Sequence, residues 1–90
     1  MLSELYQTIL ERKRELPTTS YTASLFNKGE DEILKKIGEE SVEVILAAKS
    51  QGNARLVEEI ADLTYHVLVL LAAKDLSPAD IVAELERRRK

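Results

Sequence analysis

The chain contains no cysteine and no tryptophan, and its 90 residues include only two prolines and three glycines. Without cysteine, disulfide staples and thiolate metal sites are excluded, which fits the cytoplasm. No apolar run precedes a cleavage-like site, and none reaches about 18 residues without a charge, so neither secretion nor membrane insertion is expected. Aromatic side chains are few, Phe26 and three tyrosines. The scarcity of proline and glycine leaves long stretches free to be helical, and Leu, Ala, Glu, Lys, Arg and Ile fill them.

The formal net charge is −3. Arg87, Arg88, Arg89 and Lys90 close the chain; without them, nine basic residues would face sixteen acids. An acidic body argues against broad duplex nucleic-acid binding. A chain of this length makes one domain, residues 1–90, with a modest core that an oligomer would help to stabilise.

Periodicity predicts an all-α fold. Leu2, Leu5, Tyr6, Ile9 and Leu10 recur at helical spacing, ending before Pro17. Tyr21 to Lys28 reads as a short helix or an ordered loop that stops at Gly29. A long helix follows from about Glu30 to Ser50, with Glu30, Asp31 and Glu32 suited to its positive N-terminus. Its expected core stripe is Ile33, Ile37, Val44 and Ala48. Gly38, inside this helix, suggests either a packing contact or close approach of another backbone or ligand. Gln51-Gly52-Asn53 makes a turn with Asn53 as N-cap. A second long helix runs from about Ala54 to Lys74. Leu56, Ile60, Leu63, Val67 and Leu70 form its expected core face, widened by Val57, Ala61, Leu68 and Leu71, making it the central helix. Ser77-Pro78 pairs an N-cap with proline at the first helical position, opening a last helix through Ile81, Val82 and Leu85. The expected architecture is four main helices, with two long antiparallel ones at the centre.

The central pair carries a split set of acids, Glu39-Glu40-x-x-Glu43 and Glu59-x-x-Asp62. At about 100° per residue, Lys36, Glu40, Glu43 and Ala47 share one stripe, with Glu39 beside it. Glu59, Asp62 and His66 share another, which continues through Val69 and Ala73. Both border the apolar faces, so the acids meet at the edge of the helix seam, across about 8–10 Å. Acid pairs on helices often form only a solvated face. Acids turned inward on a largely apolar helix are costly unless paired or liganded, which favours a cation. Oxygen ligands without thiolate point to Mg²⁺ or Mn²⁺ rather than zinc. Such ions hold substrate phosphates and activate water, so the chemistry indicated is in-line hydrolysis of a phosphoanhydride. His66 reads either as a packing residue or as a group orienting Asp62 or touching substrate. Lys36 is assigned to phosphate and Lys35 to solvent, although either can pair with Glu39 or Glu40. The Arg87–Lys90 run reads as a solvated tail, or as a reach toward an anionic substrate across a dimer.

Lys36-Ile37-Gly38-Glu39-Glu40-Ser41-Val42-Glu43, then Glu59-x-x-Asp62 and Tyr65-His66, resembles the phosphoribosyl-ATP pyrophosphohydrolases. Ser20-Tyr21-Thr22 with Leu25 and Gly29, and Leu85-x-x-Arg88, fit the same family. The acids alone indicate only the wider all-α, MazG-like nucleoside triphosphate pyrophosphohydrolases; the other blocks narrow the resemblance. It implies the second step of histidine biosynthesis, in which phosphoribosyl-ATP and water give phosphoribosyl-AMP and pyrophosphate. It implies Glu40, Glu43, Glu59 and Asp62 as Mg²⁺ ligands, with Glu39 as a further ligand or the holder of the attacking water. Lys36 would meet the phosphates, and Ser20, Thr22 and His66 would contact substrate. It further implies a homodimer, with the cyclohydrolase of the next step on a separate chain. Two other readings remain at this point. One is a house-cleaning pyrophosphohydrolase acting on dNTPs or damaged NTPs. The other is a non-catalytic helical dimerisation module.

Overall fold

A computed structural model describes residues 1–89. Five helices follow one another: α1 (Leu2–Glu15), α2 (Tyr21–Lys28), α3 (Glu30–Ser50), α4 (Asn53–Ala73) and α5 (Pro78–Arg88). Among the described residues there is no strand. The fold is all-α, as the periodicity predicts, and Tyr21–Lys28 is a helix rather than a loop.

Local chemistry sets the boundaries. α1 ends at Leu16, whose φ of 50° turns the chain left-handed while its N–H bonds the Arg12 carbonyl, and Pro17 prevents continuation. The Ser20 hydroxyl caps α2 by accepting from the Ala23 N–H at 3.1 Å. Gly29 and Gly52, at φ 99° and 87°, break the chain on either side of α3 in a backbone region where a side chain would be strained. The cap of α4 is therefore Gly52, and the expected cap Asn53 is the first helical residue. At α5, the Asp80 carboxylate accepts from the Ser77 N–H at 2.8 Å and Pro78 takes the first turn.

α3 and α4 form a long antiparallel hairpin, the most extensive packing in the fold; α1 lies on α4 and α2, and α2 on α3. Tyr6, Ile9, Leu25, Ile33, Leu68, Val69, Leu71 and Ala72 make the core, at the end of the hairpin where α1 and α2 close over it. The Tyr6 hydroxyl donates to the Leu76 carbonyl. Lys13 donates to the Ala72 carbonyl at 2.7 Å and pairs with Asp75 at 3.1 Å, pinning α1 to the end of α4.

The expected face of α4 is not the one the chain buries. Leu68 and Leu71 are buried, but Ile60 is 45% exposed and Val57 67% exposed, while Glu59, His66, Val69 and Ala72 turn inward. α4 is apolar on two sides, and α1 to α3 can cover only one. On α3, Ile33 is buried, but Ala47 rather than Ala48 continues inward. A Cβ on Gly38 would meet nothing within 4 Å, so no other part of this chain packs closely against it. Leaving apolar faces uncovered expands the molecule: the radius of gyration is 14.3 Å, against about 12 Å expected for a compact domain of this size.

Candidate metal centre

The hairpin brings three carboxylates to one place. Glu40 comes from the middle of α3, and Glu59 and Asp62 from the first half of α4. One oxygen of each lies within 4.8 Å of the others. Two full charges at that spacing repel by roughly 3 kcal/mol at an effective dielectric near 20. Glu59 is only 3% exposed, Glu40 is half-buried and Asp62 opens to solvent. The result is an oxygen-lined corner with one dry side and one wet side. Burial first, then the Asp62 carboxylate and next the Glu59 carboxylate, raise the Glu40 pKa above its ordinary value, against a lowering pull from His66 and Lys36.

The other acids stand apart. Glu39 is exposed, lies outside the three-carboxylate group and pairs with Lys36 at 3.7 Å. Glu43, one turn beyond Glu40, is half-buried and lies outside the three-carboxylate group. Lys36 is thus engaged with Glu39 at the edge of the cluster, and Lys35 is exposed, as expected. Arg55, absent from the sequence reading, reaches the buried Glu59 at 2.9 Å. Its spacing four residues before Glu59 is the signal that marks it.

Beside the acids stands an aromatic wall. The His66 Nδ1 lies 2.8 Å from the Asp62 main-chain carbonyl, and its Nε2 lies 2.9 Å from the Tyr21 hydroxyl. A carbonyl only accepts, so Nδ1 carries a proton, and in the uncharged form of the ring Nε2 accepts from the Tyr21 hydroxyl. His66 therefore holds the Asp62 backbone and Tyr21, not the Asp62 carboxylate. Tyr21 and Tyr65 stack with centroids 6.4 Å apart, and His66 meets Tyr65 edge-on at 5.3 Å. Thr22 is buried and shares a hydrogen bond with the Tyr65 hydroxyl. Ser20, the cap of α2, is half-buried. Burial raises the Tyr21 pKa most, opposed by Lys36 and reinforced by Glu40, Glu32 and Glu39. The two tyrosines are half of the chain's few aromatics, yet spacing alone does not mark them as partners.

The basic C-terminus is less of a tail than expected. Arg87 and Arg88 lie in α5 and both pair with Glu84, Arg88 at 2.8 Å; Lys90 lies outside the described residues. Among the described residues, no helix is long and apolar enough to cross a membrane.

A family model described as "Phosphoribosyl-ATP pyrophosphohydrolase" matches residues 2–89. The chain is 57% identical to the phosphoribosyl-ATP pyrophosphatase of Pelotomaculum thermopropionicum, over the whole chain and 92% of that protein. It is 50% identical to the protein of the same name from Saccharolobus solfataricus, over the whole chain and 96% of the relative. It is 54% identical to that of Geobacter sulfurreducens, over 98% of the chain and 82% of the relative.

Proposed function

The chain belongs to the phosphoribosyl-ATP pyrophosphohydrolase family, and on that premise we propose that it hydrolyses phosphoribosyl-ATP to phosphoribosyl-AMP and pyrophosphate, the second step of histidine biosynthesis. The oxygen of water bonds to one phosphorus of the α–β phosphoanhydride, the P–O bond from that phosphorus to the bridging oxygen breaks, and the two protons of water end on the product phosphates or in solvent. The observation that carries the chemistry is the convergence of Glu40, Glu59 and Asp62 around one point, with Glu59 buried.

Those three carboxylates fit a hard divalent cation, Mg²⁺ or in its place Mn²⁺: they offer only oxygen, and they repel one another without one. Glu43 follows Glu40 on the same stripe and is the fourth ligand in this reading. A bound Mg²⁺ supplies Lewis-acid stabilisation of the phosphate charge and lowers the pKa of an attacking water. The protein's own part is positional. Arg55 holds Glu59 through one oxygen. His66 holds the Asp62 turn of α4 through its carbonyl. In this reading Lys36, at the edge of the cluster, exchanges its pairing with Glu39 for the substrate phosphates, and Glu39, next to Glu40 in sequence, is the candidate to hold the attacking water. Tyr21 and Tyr65, positioned by His66 and Thr22, offer a flat surface for the adenine. Thr22 and His66 act from behind that surface, with Ser20 at its edge.

A second copy of the chain is the partner this reading requires. Val42, Ile45 and Leu46 on α3 and Val57 and Ile60 on α4 are exposed apolar residues along the hairpin, more than a monomer of this size leaves uncovered. An ATP-derived substrate places the reaction in the cytoplasm.

The test is pyrophosphate release from phosphoribosyl-ATP, ATP and the dNTPs, with and without Mg²⁺. Mg²⁺-dependent turnover selective for phosphoribosyl-ATP is expected. Preference for a plain dNTP, or turnover that persists in Glu40→Gln and Asp62→Asn, overturns the assignment.

A further inference from the structure

Arg55 extends the acid stripe of α4 toward the hairpin turn. Arg55, Glu59, Asp62 and His66 follow one another at spacings of four, three and four, so they share one face of the helix. One terminal nitrogen of Arg55 lies 2.9 Å from the Glu59 carboxylate, and the other only approaches the exposed Glu58, at 3.4 Å. The Nε hydrogen and one hydrogen on each terminal nitrogen find no acceptor among the described residues, and half of the side chain is open to solvent. Free donors in a planar fork suit a phosphate.

The order along the stripe is the order of groups in a nucleoside triphosphate. At its far end stand His66 and the adjacent Tyr65, which with Tyr21 makes the surface assigned to the base. Asp62 and Glu59 come next, in the cluster assigned to the cation and the phosphates. Glu59, where the Arg55 guanidinium rests, is seven residues from His66, about 10 Å along the helix. An extended triphosphate crosses such a span from base to last phosphate. Lys36 does not serve this end. α3 runs antiparallel to α4, so Lys36, four residues before Glu40, lies on the His66 side of the acids. The charge balance favours a cation near Glu59: three carboxylates outweigh one divalent ion, and the triphosphate adds to the excess.

We propose that Arg55 binds the pyrophosphate half of the substrate, its β- and γ-phosphates, through the donors that Glu59 leaves free. Hydrolysis turns that half into a separate anion, and the guanidinium offsets the charge gained as the P–O bond breaks. Arg55 gives up no proton and stays charged throughout. The proposal rests on cleavage between the α- and β-phosphates and adds to it the residue that holds the departing half.

The experiment titrates magnesium pyrophosphate, and separately phosphoribosyl-AMP, into the wild type, Arg55→Gln and Arg55→Lys by calorimetry at saturating Mg²⁺, beside steady-state turnover of phosphoribosyl-ATP. Arg55→Gln is expected to weaken magnesium pyrophosphate at least about tenfold, the scale of one charge-assisted contact, and phosphoribosyl-AMP by less than about twofold. Arg55→Lys should recover part of the pyrophosphate affinity, and kcat/KM should fall in the same order. Pyrophosphate affinity within about twofold of wild type in Arg55→Gln overturns the proposal, as does a wild type that fails to bind magnesium pyrophosphate. Equal weakening of both products overturns it too, since that marks Arg55 as no more than a support for Glu59. Phosphoribosyl-ATP and a plain dNTP both release pyrophosphate, so this readout survives a failure of the substrate assignment, and the two failures are told apart.

Discussion

The Arg55 guanidinium lies 2.9 Å from the carboxylate of Glu59, one turn away on α4. Glu59 is buried and Arg55 half exposed, so the pair sits between a surface ion pair and a buried one. It gives the most hidden acid of the cluster a cation within its own helix. Replacing Arg55 with Met leaves that carboxylate unpaired, at a cost of about 1–3 kcal/mol. The metal-free protein is expected to melt at least about 5 °C lower. Saturating Mg²⁺ should raise Tm more in the variant than in the wild type, because the ion replaces the lost charge. Calorimetry with and without Mg²⁺ reads both effects, and an equal or smaller gain in the variant would refute the argument.

Glu40 has the opposite balance. Burial, then Asp62, raise its pKa in the fold, so the folded state holds its proton more tightly than the unfolded chain. The stability linked to that proton is complete below the ordinary carboxylate value of 4.5 and is lost as pH rises through the raised value. Metal-free protein should therefore lose Tm as pH climbs out of the acid range, whereas the Mg²⁺-induced rise should grow over the same window. Glu40→Gln should flatten both trends. Tm profiles from acid to neutral pH, in EDTA and in Mg²⁺, check the sign; parallel profiles would contradict it.

Neutralising the cluster should separate stability from activity. Glu40→Gln and Asp62→Asn each remove one of three mutually repelling charges. Metal-free Tm should hold or rise, while turnover falls more than about a hundredfold, beyond what loss of an outer partner of a metal ligand costs. A variant that loses both activity and metal-free stability would mean that the carboxylates serve the fold.

Tyr21→Phe removes the donor to the buried His66 Nε2 and leaves that nitrogen unsatisfied. The expected destabilisation is about 1–2 kcal/mol. Nitrogen-15 NMR of the wild-type imidazole should show the Nδ1–H tautomer, held by the Asp62 carbonyl 2.8 Å away. An Nε2–H signal at neutral pH would reverse the hydrogen-bond assignment.

The exposed hairpin face can be checked by mass. Sedimentation equilibrium should give twice the 10.1 kDa chain mass. Ile45→Glu, in the middle of the uncovered stripe of α3, should shift the equilibrium to monomer at micromolar concentration. A wild-type monomer would remove the second copy from the proposed function.

Much of this protein is legible without coordinates, and the residues show why. The first turn of α5 follows from Ser77, Pro78 and Asp80, because capping needs only side chains a few residues apart. The break at Pro17, the turn at Gly52 and the lengths of α3 and α4 are equally local. The stripe that aligns Glu40 with Glu43 and sets Glu39 aside, and the stripe that aligns Glu59 with Asp62, follow from helical periodicity. The face of α4 does not. Ile60 and Glu59 are adjacent, about 100° apart, and both neighbouring stripes carry enough apolar residues to pack. Only the placement of α1 to α3 decides that Glu59, His66 and Val69 turn inward while Val57 and Ile60 stay outside. The same placement gives His66 its bond to Tyr21 and Thr22 its bond to Tyr65. By itself, the sequence determined an all-α chain and a set of acids aimed at a cation, because those depend on short-range geometry. Tertiary structure decided which acids meet and which apolar face is left for a partner, because those depend on side chains brought together from distant parts of the chain.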